Sequence, residues 1–417
     1  MSIITDFTRM WLTRTIKPFT FVNTYENTLD YADCKNLGLY VHIPFCEKIC
    51  SFCPYCKTLY TQKACERYIR FLLKEIHMVG KQCKEKKKVT SLYFGGGTPT
   101  LAIEHLKDII DTLQMYFEIT EGIGVELHPD HVTEPILRQL QEAGVTKISI
   151  GIQSFQQKYQ KILGRHTVEI ENMAHELRKV PFETVSMDFI FALPNQTYED
   201  LKTDIELAFS HGANHVAIYP FIDFTFTDAA VPAMPKEEKR KLLDKITAYC
   251  NVRGYTRTSI WTFSKKKEAV YSSMTRENFL GFGCSATTLL NGQFKINTFS
   301  VEEYGERLKR EQLPTALTLY FTKHQRMLYY LFWTAYSTKV DEKAFEAFFG
   351  VPLKKVYGLE LELAKKVGFI TEQNGVYHMT PKGAFYYHYY ENFYTLAYID
   401  KMWGLMRQEA FPKGMKL

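Results

Sequence analysis

Residues 38–56 read GLYVHIPFCEKICSFCPYC and contain four of the nine cysteines of the chain. The run Leu39–Ile43 is short and mostly apolar, which is typical of a buried strand. Three cysteines follow it at Cys-x3-Cys-x2-Cys spacing: Cys46, Cys50 and Cys53. Three thiolates at these offsets can hold three corners of a [4Fe–4S] cubane and leave one iron open. The alternative is a structural zinc site with Cys56 as its fourth ligand.

Strand-like and helical patterns alternate beyond this stretch. The further strand-like runs are Thr90–Phe94, Ile123–Leu127, Lys147–Gly151, Val185–Ile190 and His215–Tyr219. Helical spacing marks Glu66–Gly80, Ala102–Tyr116, Glu134–Glu142 and Glu199–Ser210. This alternation predicts an α/β fold of parallel strands with right-handed crossovers, either an open doubly wound sheet or a partial barrel. In both architectures the functional loops lie at the carboxyl ends of the strands.

The composition of the 417-residue chain is that of a globular protein. Lysine and arginine number 52 and aspartate and glutamate 46, which gives a formal net charge of +6, and 46% of the residues are hydrophobic. This apolar content excludes a mostly disordered chain, and no run approaches the roughly 18 consecutive apolar residues of a membrane span. The clustered cysteines and the lack of a secretory signal indicate a reducing compartment, so we expect a cytoplasmic protein.

Changes in pattern divide the chain into four predicted units. Residues 1–37 are an N-terminal extension, residues 38–224 the strand–helix repeat, residues 225–312 a connecting α/β region, and residues 313–417 a C-terminal domain. The lysine-rich stretch Lys84–Lys88 is predicted to be a solvated loop.

The C-terminal unit combines helices with a hairpin. Helical patterns at Thr322–Thr334, Glu342–Phe349 and Leu353–Val367 precede a hairpin whose turn is signalled by Asn374-Gly375. Such an order resembles a winged-helix domain. The hairpin FITEQNGVYHM contains no lysine or arginine, so we expect no nucleic-acid binding. The aromatic segment Phe385–Met406 indicates either packing or a wall for a large planar substrate.

Several further motifs stand in the order in which they occur in one known family. They are YVHIPFC at Tyr40–Cys46 through Phe52-Cys53, GGGTPT at Gly95–Thr100, Glu126, GIQSF at Gly151–Phe155, Asp188, Leu193-Pro194 and Tyr219-Pro220. Together they resemble the radical S-adenosylmethionine (SAM) enzymes, and more narrowly the branch that includes oxygen-independent coproporphyrinogen III oxidase. The resemblance covers residues 38–300, with a family-like C-terminal domain behind them.

The resemblance implies a partial (β/α)6 barrel with a winged-helix-like C-terminal domain, and a [4Fe–4S] cluster and SAM as cofactors. In this family the reduced cluster cleaves SAM to a 5′-deoxyadenosyl radical that takes hydrogen from the substrate, so an electron donor such as flavodoxin or ferredoxin is expected. Cys46, Cys50 and Cys53 would hold the cluster. The residues expected at SAM are Tyr40, Phe52, Gly96, Gly97, Thr98, Glu126, Gln153, Arg165 and Asp188.

The chemistry of the polar residues in this set suits such a ligand. Glu126 can accept from an amino or ribose group, Gln153 both donates and accepts, and Arg165 can clamp a carboxylate. Asp188 lies in an apolar run and needs a partner when buried. Other interpretations stay open, because Glu126 could form a surface salt bridge and Arg165 could end a helix at the surface.

The aromatic and glycine residues of the set are expected to contact SAM through ring faces and through the backbone. Tyr40 and Phe52 can pack on the sulfonium or the adenine, although Tyr40 could equally belong to the core. Glycines at 95–97 let the backbone approach a ligand closely.

Two cysteines depart from the family pattern. The oxidase has a further cysteine two residues after the third cluster cysteine, whereas Cys56 lies three residues after Cys53. Cys284, in the sequence GFGCS, stands where relatives usually have alanine. Each thiol can be inert packing, and the catalytic interpretation is a reactive thiol or a hydrogen-atom relay near the radical.

Two sequence motifs that mark the functions of related proteins are absent from this chain. The Arg-Tyr-Thr-Ser-Tyr-Pro stretch typical of the oxidase does not precede Tyr40, and residues 275–280 (TRENFL) lack the histidine and tryptophan of the heme motif in the related heme chaperones. We therefore expect radical methylation, alkylation or rearrangement of a large conjugated small molecule, such as a tetrapyrrole or heteroaromatic, with one or two SAM molecules bound. The alternatives are oxidative decarboxylation of a porphyrinogen and a heme chaperone that binds heme without turnover.

Overall fold

One large mixed sheet organises the protein. The computed structural model describes residues 9–228, 232–265, 277–394 and 398–417, with the backbone alone at 388–394. Within these ranges, fourteen strands form the sheet, in the spatial order Thr256–Ser259, Thr262–Ser264, His215–Pro220, Thr184–Phe191, Lys147–Gln153, Ile123–Leu127, Leu92–Gly96, Leu37–Ile43, Asn278–Phe282, Thr287–Leu289, Gln293–Asn297, Thr315–Tyr320, Thr20–Val22 and Gly414–Lys416.

The six predicted strands are confirmed as a parallel set that forms an open partial barrel. They pair side by side from Leu37–Ile43 to His215–Pro220. A seventh parallel strand, Asn278–Phe282, joins the other edge of Leu37–Ile43. Six of the seven residues of Leu37–Ile43 are buried, as expected for a parallel strand covered on both faces. Full burial of each large aliphatic side chain contributes about 1.5–3 kcal/mol.

Helices follow the parallel strands and cover the sheet. They are Gln62–Gly80, Ile103–Tyr116, Glu134–Glu142, Gln157–Ile162, Ile170–Lys179 and Tyr198–Ser210. The first begins where Thr61 accepts a hydrogen bond from the Ala64 amide, and the last begins at a reciprocal capping box between Thr197 and Asp200. Capping of this kind fixes where these two helices start, and therefore where the loops before them end.

Antiparallel strands extend the parallel set at both edges: two lie beyond His215–Pro220 and five beyond Asn278–Phe282. The helices Lys236–Val252 and Val301–Lys309 connect strands of these outer parts. The prediction of a loop for the whole of Lys84–Lys88 is wrong at its end. Lys87 and Lys88 begin the short strand Lys87–Val89, which pairs in parallel with Phe117–Ile119 because Val89 is buried there. Two short strands, Phe45–Cys46 and Thr58–Leu59, pair with each other.

The C-terminal unit contains the predicted helices and hairpin. Its helices are Lys323–Tyr336, Glu342–Phe349 and Leu353–Lys366, and its three-stranded sheet is Lys339–Asp341, Val376–Met379 and Ile370–Gln373. Asn374 and Gly375 have φ values of 53° and 78°, as a two-residue turn with both residues left-handed requires. The apolar core beneath includes Tyr330, Phe345 and Tyr377.

The aromatic segment Phe385–Met406 contains most of the helix Pro381–Tyr394 and most of the helix Asp400–Gln408, and residues 395–397 between them lie outside the described residues. The side chains of Tyr389, Tyr390, Phe393 and Tyr394 lie outside the described residues, as do residues 275 and 276 of the heme-motif stretch.

The first and the last strands of the described chain, Thr20–Val22 and Gly414–Lys416, both belong to the large sheet. The domain boundary at residue 313 stays a prediction, and the sheet crosses it through Thr315–Tyr320 and Gly414–Lys416. Asp400 accepts hydrogen bonds from the backbone and hydroxyl of Thr225, at 2.9 and 2.8 Å, which fastens the last helix to the strand ends. In the described part of the chain, every helix is too short or too polar to cross a bilayer.

Candidate active site at the carboxyl ends of the parallel strands

The three motif cysteines lie in a loop that is closed at its base by backbone hydrogen bonds. The Thr58 amide donates to Pro44 at 2.7 Å and the Tyr60 amide to Cys46 at 2.9 Å. Cys46, Cys50 and Cys53 are free and partly buried. Burial, followed by the charges of Cys53 and Cys50, raises the pKa of Cys46 to about 11, so the three thiols are neighbours. Such thiols become thiolates when a metal stabilises the charge.

The glycine turn after Leu92–Gly96 lies against this loop. The amides of Gly97 and Thr98 donate to Ile43 and Phe45 at 2.8 and 2.7 Å. A Cβ added at Gly97 would lie 2.4 Å from the Phe45 carbonyl oxygen and 2.9 Å from the Cys46 sulfur, so only glycine permits this approach. The Thr98 hydroxyl hydrogen-bonds the Cys46 thiol and lowers its pKa in part.

Glu126 is partly buried at the end of its strand and faces the glycine turn. Its carboxylate accepts from the Gly96 amide and from the Tyr93 hydroxyl, each at 3.1 Å. Burial, followed by the charge of Asp188, raises the pKa of Glu126 to about 7. Among the described residues Glu126 forms no ion pair, which argues against the surface salt bridge. A carboxylate that is desolvated beside another carboxylate favours a ligand that brings positive charge or donors.

Asp188 is held by two serine hydroxyls. Ser149 donates to one carboxylate oxygen at 2.8 Å and Ser186 to the other at 3.0 Å. Burial still raises the pKa of Asp188 to about 6, because two neutral hydrogen bonds do not replace full hydration. The hydrogen-bond donors that a carboxylate in an apolar run needs therefore come from Ser186 on its own strand and from Ser149 on the neighbouring strand.

Gln153 and Arg165 meet over the end of the strand Lys147–Gln153. Gln153 has a left-handed φ of 71°. Arg165 donates to the Gly151 carbonyl oxygen, and its guanidinium carbon lies 5.9 Å from the Phe52 ring centroid. The buried Nε of Arg165 has no hydrogen-bond partner among the described residues. Arg165 therefore points at the strand ends and keeps a free donor there.

Tyr40 joins the site to the barrel interior. Its ring stacks with Tyr93 at a centroid distance of 6.4 Å, and its hydroxyl lies 3.1 Å from His42 Nδ1. Burial raises the pKa of Tyr40, and the charge of Glu126 raises it further. Tyr40 therefore belongs both to the packed interior and to the edge of the site.

An aromatic wall lies at the mouth of the site, and only one of its members, Trp403, belongs to the aromatic segment Phe385–Met406 that the sequence marked. We use this name for Tyr55, Phe224, Phe226, Phe299 and Trp403. The rings of Tyr55, Phe224 and Phe299 lie 5.9, 6.3 and 6.2 Å from that of Trp403. Tyr55 is 54% exposed. Desolvation of its hydroxyl and then the charge of Glu126 raise its pKa, so the hydroxyl lies towards the carboxylates. The available signal was the position of Tyr55 inside the cysteine motif.

Arg407 adds a cation to the aromatic wall. It donates to the Tyr55 carbonyl oxygen at 3.1 Å, and its guanidinium carbon lies 4.5 Å from the centroid of Phe226. Burial lowers the pKa of Arg407. No local pattern marked this residue, because it reaches the motif from the far end of the chain.

The two departing cysteines come together away from the motif thiols. The ligand atoms of Cys56, Cys284 and His42 all lie within 4.8 Å of one another. Cys284 is fully buried, and Cys56 Sγ donates to the Phe299 carbonyl oxygen at 3.2 Å. Catalytic roles for either thiol stay a prediction.

Residues 40–208 match the model of the Radical SAM superfamily. The chain therefore contains a radical SAM domain, and this family uses a [4Fe–4S] cluster and SAM. The fit to these groups is supported by three neighbouring thiols, a glycine turn that a Cβ would fill, and the unpartnered Nε of Arg165.

Within this superfamily, the chain is similar to heme chaperones and to oxygen-independent coproporphyrinogen III oxidases. The heme chaperone HemW of Lactococcus lactis is 29% identical over 82% of this chain and 93% of its own length. The oxygen-independent coproporphyrinogen III oxidase of Synechocystis is 26% identical over 71% of each chain. The solved structure of coproporphyrinogen III oxidase (HemN) from Escherichia coli matches with a TM-score of 0.75 at 20% identity, over 91% of this chain and 96% of that one, which establishes the shared fold.

Proposed function

We propose that the chain is a radical SAM enzyme that acts on a large, flat, conjugated substrate, with radical methylation, alkylation or rearrangement as the leading reaction. The observation that carries the proposal is the meeting of three neighbouring thiols, the glycine turn and two partly buried carboxylates at one edge of the sheet. Catalysis by this family starts with one electron, so a reducing partner such as flavodoxin or ferredoxin is part of the proposal. Thiols that must bind iron also favour the cytoplasm.

Cys46, Cys50 and Cys53 would hold the cluster. When bound, the cluster supplies one electron that splits SAM into methionine and a 5′-deoxyadenosyl radical, which takes hydrogen from the substrate. The glycine turn at Gly96 and Gly97 presses on the motif and leaves no room for a side chain. The glycine turn would bring backbone polar groups close to the cluster iron that has no cysteine ligand.

The polar residues would position SAM. The carboxylate of Glu126 is available to an amino or ribose group, and the free Nε of Arg165 to a carboxylate. Gln153 and Asp188 offer further hydrogen bonds from the neighbouring strand ends. Thr98 contacts the Cys46 thiol, and Tyr40 and Phe52 supply ring faces. Together these groups would hold the ligand in a single orientation.

The aromatic wall would bind the substrate. Tyr55, Phe226 and Trp403 offer apolar ring surface, while Phe224 and Phe299 are buried against Trp403. Arg407 places a guanidinium beside these rings. A ring system with attached carboxylates, such as a tetrapyrrole, matches this combination of stacking and charge. The coproporphyrinogen oxidases among the relatives act on such a molecule by name, which supports the same substrate class here.

Two other functions have specific support. Oxidative decarboxylation of a porphyrinogen is favoured by the oxidase relatives, and heme delivery without turnover by the coverage of the HemW sequence. The missing Arg-Tyr-Thr-Ser-Tyr-Pro stretch counts against the first, and the missing histidine and tryptophan in residues 275–280 count against the second.

Anaerobic reconstitution with iron, sulfide, SAM and a reductant separates the three functions. With tetrapyrrole substrates, 5′-deoxyadenosine together with S-adenosylhomocysteine indicates alkyl transfer. Formation of 5′-deoxyadenosine with carbon dioxide indicates decarboxylation. Stable heme binding without substrate turnover favours the chaperone. Arg407→Gln is the matched variant, because it should weaken binding of a carboxylated tetrapyrrole and leave SAM cleavage without substrate unchanged.

A further inference from the structure

A second set of soft ligands lies apart from the cysteine motif. His42 is on the strand Leu37–Ile43, Cys56 follows the motif loop, and Cys284 follows the strand Asn278–Phe282. One ring nitrogen and two sulfurs from these residues all lie within 4.8 Å of one another. We propose that His42, Cys56 and Cys284 bind a thiophilic d10 cation, for which zinc is the probe.

The donor set matches the preferences of zinc. Zinc binds cysteine sulfur at about 2.3 Å and histidine nitrogen at about 2.0–2.1 Å in a tetrahedron. These bond lengths place the donor atoms about 3.6–3.8 Å apart. The three donors therefore need to contract by about 1 Å at most, which small side-chain rotations supply.

The charge balance of the cation suits the burial of the site. His42 is 4% exposed and Cys284 is 0% exposed. A divalent cation with two thiolates and a neutral imidazole has no net charge, so it avoids the cost of burying an unpaired ion. The nearest buried carboxylate, Glu75, is already used, since it accepts from the Gly283 amide at 2.7 Å and from the Tyr304 hydroxyl at 2.6 Å.

The backbone around the ligands is held in place. The Tyr68 hydroxyl donates to the His42 carbonyl oxygen at 2.8 Å and accepts from the Cys284 amide at 3.0 Å. Gly283 has a φ of 101°, and a Cβ there would lie 2.4 Å from the Tyr68 hydroxyl. Glycine at this position therefore lets the turn bring Cys284 to the histidine.

Hydrogen bonds also orient the imidazole. Its Nδ1 lies 3.1 Å from the Tyr40 hydroxyl, and its Nε2 lies 2.9 Å from the Cys56 carbonyl oxygen. Binding through Nε2 exchanges the carbonyl contact for the cation, while Nδ1 donates to Tyr40. This is the outer hydrogen bond that metal-bound histidines usually make.

The cation would crosslink three segments of the chain. It joins a barrel strand, the end of the motif loop and the turn after Asn278–Phe282, and it leaves a fourth position for water. The proposal does not depend on radical chemistry, because the ligands are distinct from Cys46, Cys50 and Cys53.

The metal content of the anaerobically purified, iron-loaded full-length chain tests the site. After exposure to zinc and dialysis, we expect about one zinc per chain beside about four irons. Cys56→Ser and Cys284→Ala should each lose the zinc and keep the iron. Cys83→Ser, which changes a partly buried thiol elsewhere, should keep both. X-ray absorption at the zinc edge of the wild-type chain should report two sulfur neighbours, and this measurement needs no variant to fold.

Three results would overturn the site. One is wild-type, iron-loaded protein without bound zinc. Another is zinc retention by the Cys56→Ser/Cys284→Ala double variant. The third is a Cys56–Cys284 disulfide in the anaerobic protein, detected by mass spectrometry. Cys50→Ala distinguishes this site from the motif, since it should lose iron and keep zinc; loss of both metals places the zinc at the motif and contradicts the proposal.

Discussion

Glu75 is buried and Glu126 is partly buried, and both have a pKa near 7, yet their surroundings differ. Glu75, on the helix Gln62–Gly80, accepts from the Gly283 amide, the Tyr304 hydroxyl and the Asn297 amide. Glu126 accepts from one amide and one phenol, and the charge of Asp188 opposes its ionisation. Burial with a full set of donors makes a structural link, whereas burial beside a like charge leaves a group that a ligand can stabilise.

The same contrast extends to the regions around the two carboxylates. The turn after Asn278–Phe282 is fixed by contacts from one helix and one strand. The strand ends near Glu126 combine free thiols, a glycine turn and an unpartnered arginine Nε. Changes at the strand ends should therefore remove chemistry, and changes at the turn should remove stability.

Cys50→Ala should produce the largest effect, and only on the chemistry. With two thiols left, the cluster loses a ligand, so the absorption near roughly 400 nm and SAM cleavage should both disappear. The melting temperature should stay within about 2–4 °C, since Cys50 is only partly buried. Cys83→Ser serves as the control and should retain both properties. Full SAM cleavage by Cys50→Ala would refute the assignment of the cluster ligands.

Glu75→Gln should act in the opposite way, on stability. An amide presents only one acceptor oxygen to three donors and turns its own NH2 towards one of them. We expect a loss of about 2–3 kcal/mol in the free energy of unfolding, measured by urea denaturation. Glu66→Gln on the exposed face of the same helix should change little. Equal stability of the two variants would show that Glu75 is not a link.

Glu126→Gln should weaken SAM binding while the fold stays intact. We expect about a tenfold rise in Kd at pH 8, equal to about 1.4 kcal/mol. Because the pKa of Glu126 lies near 7, its carboxylate is mostly protonated at pH 6 and ionised at pH 8. Wild-type affinity should therefore rise with pH across this range, and the variant should lack the rise. Calorimetry with Glu121→Gln, an exposed residue before the same strand, supplies the control.

Asp188→Asn should give the smallest effect and sharpen the contrast. It removes the like charge that raises the pKa of Glu126, so the midpoint of the pH-dependent SAM affinity should move to lower pH by less than about one unit. Ser149→Ala is the matched change, because it removes a donor to Asp188 and keeps the charge. An unchanged midpoint in Asp188→Asn would mean that the two carboxylates do not interact.

The parallel sheet was predictable because its signals are local. Apolar runs such as Ile123–Leu127 form one strand each, and the motif residues follow from the rule that parallel strands end at one edge. The hairpin at Asn374-Gly375 was predictable for the same reason, since two residues determine the turn. The positions of Glu126 and Gln153 at strand ends were therefore visible in the sequence.

The remaining features depend on contacts between distant segments. Asn278–Phe282 joins the parallel set only because it pairs with Leu37–Ile43. In the sequence, Glu75 resembles any other charged residue of a helix, and its hydrogen bond with the Gly283 amide is visible only in the folded structure. Arg407 meets the cysteine motif only after the chain has folded back, so no window of sequence reports it.

The placement of the first described strand has a consequence for synthesis. Thr20–Val22 lies between Thr315–Tyr320 and Gly414–Lys416, and pairs with both. While the ribosome is still making the second half of the chain, this early segment has neither neighbour. The parallel strands that carry the cysteine motif can therefore pair first. The edge of the sheet that contains Thr20–Val22 can form only after Gly414–Lys416 has been synthesised.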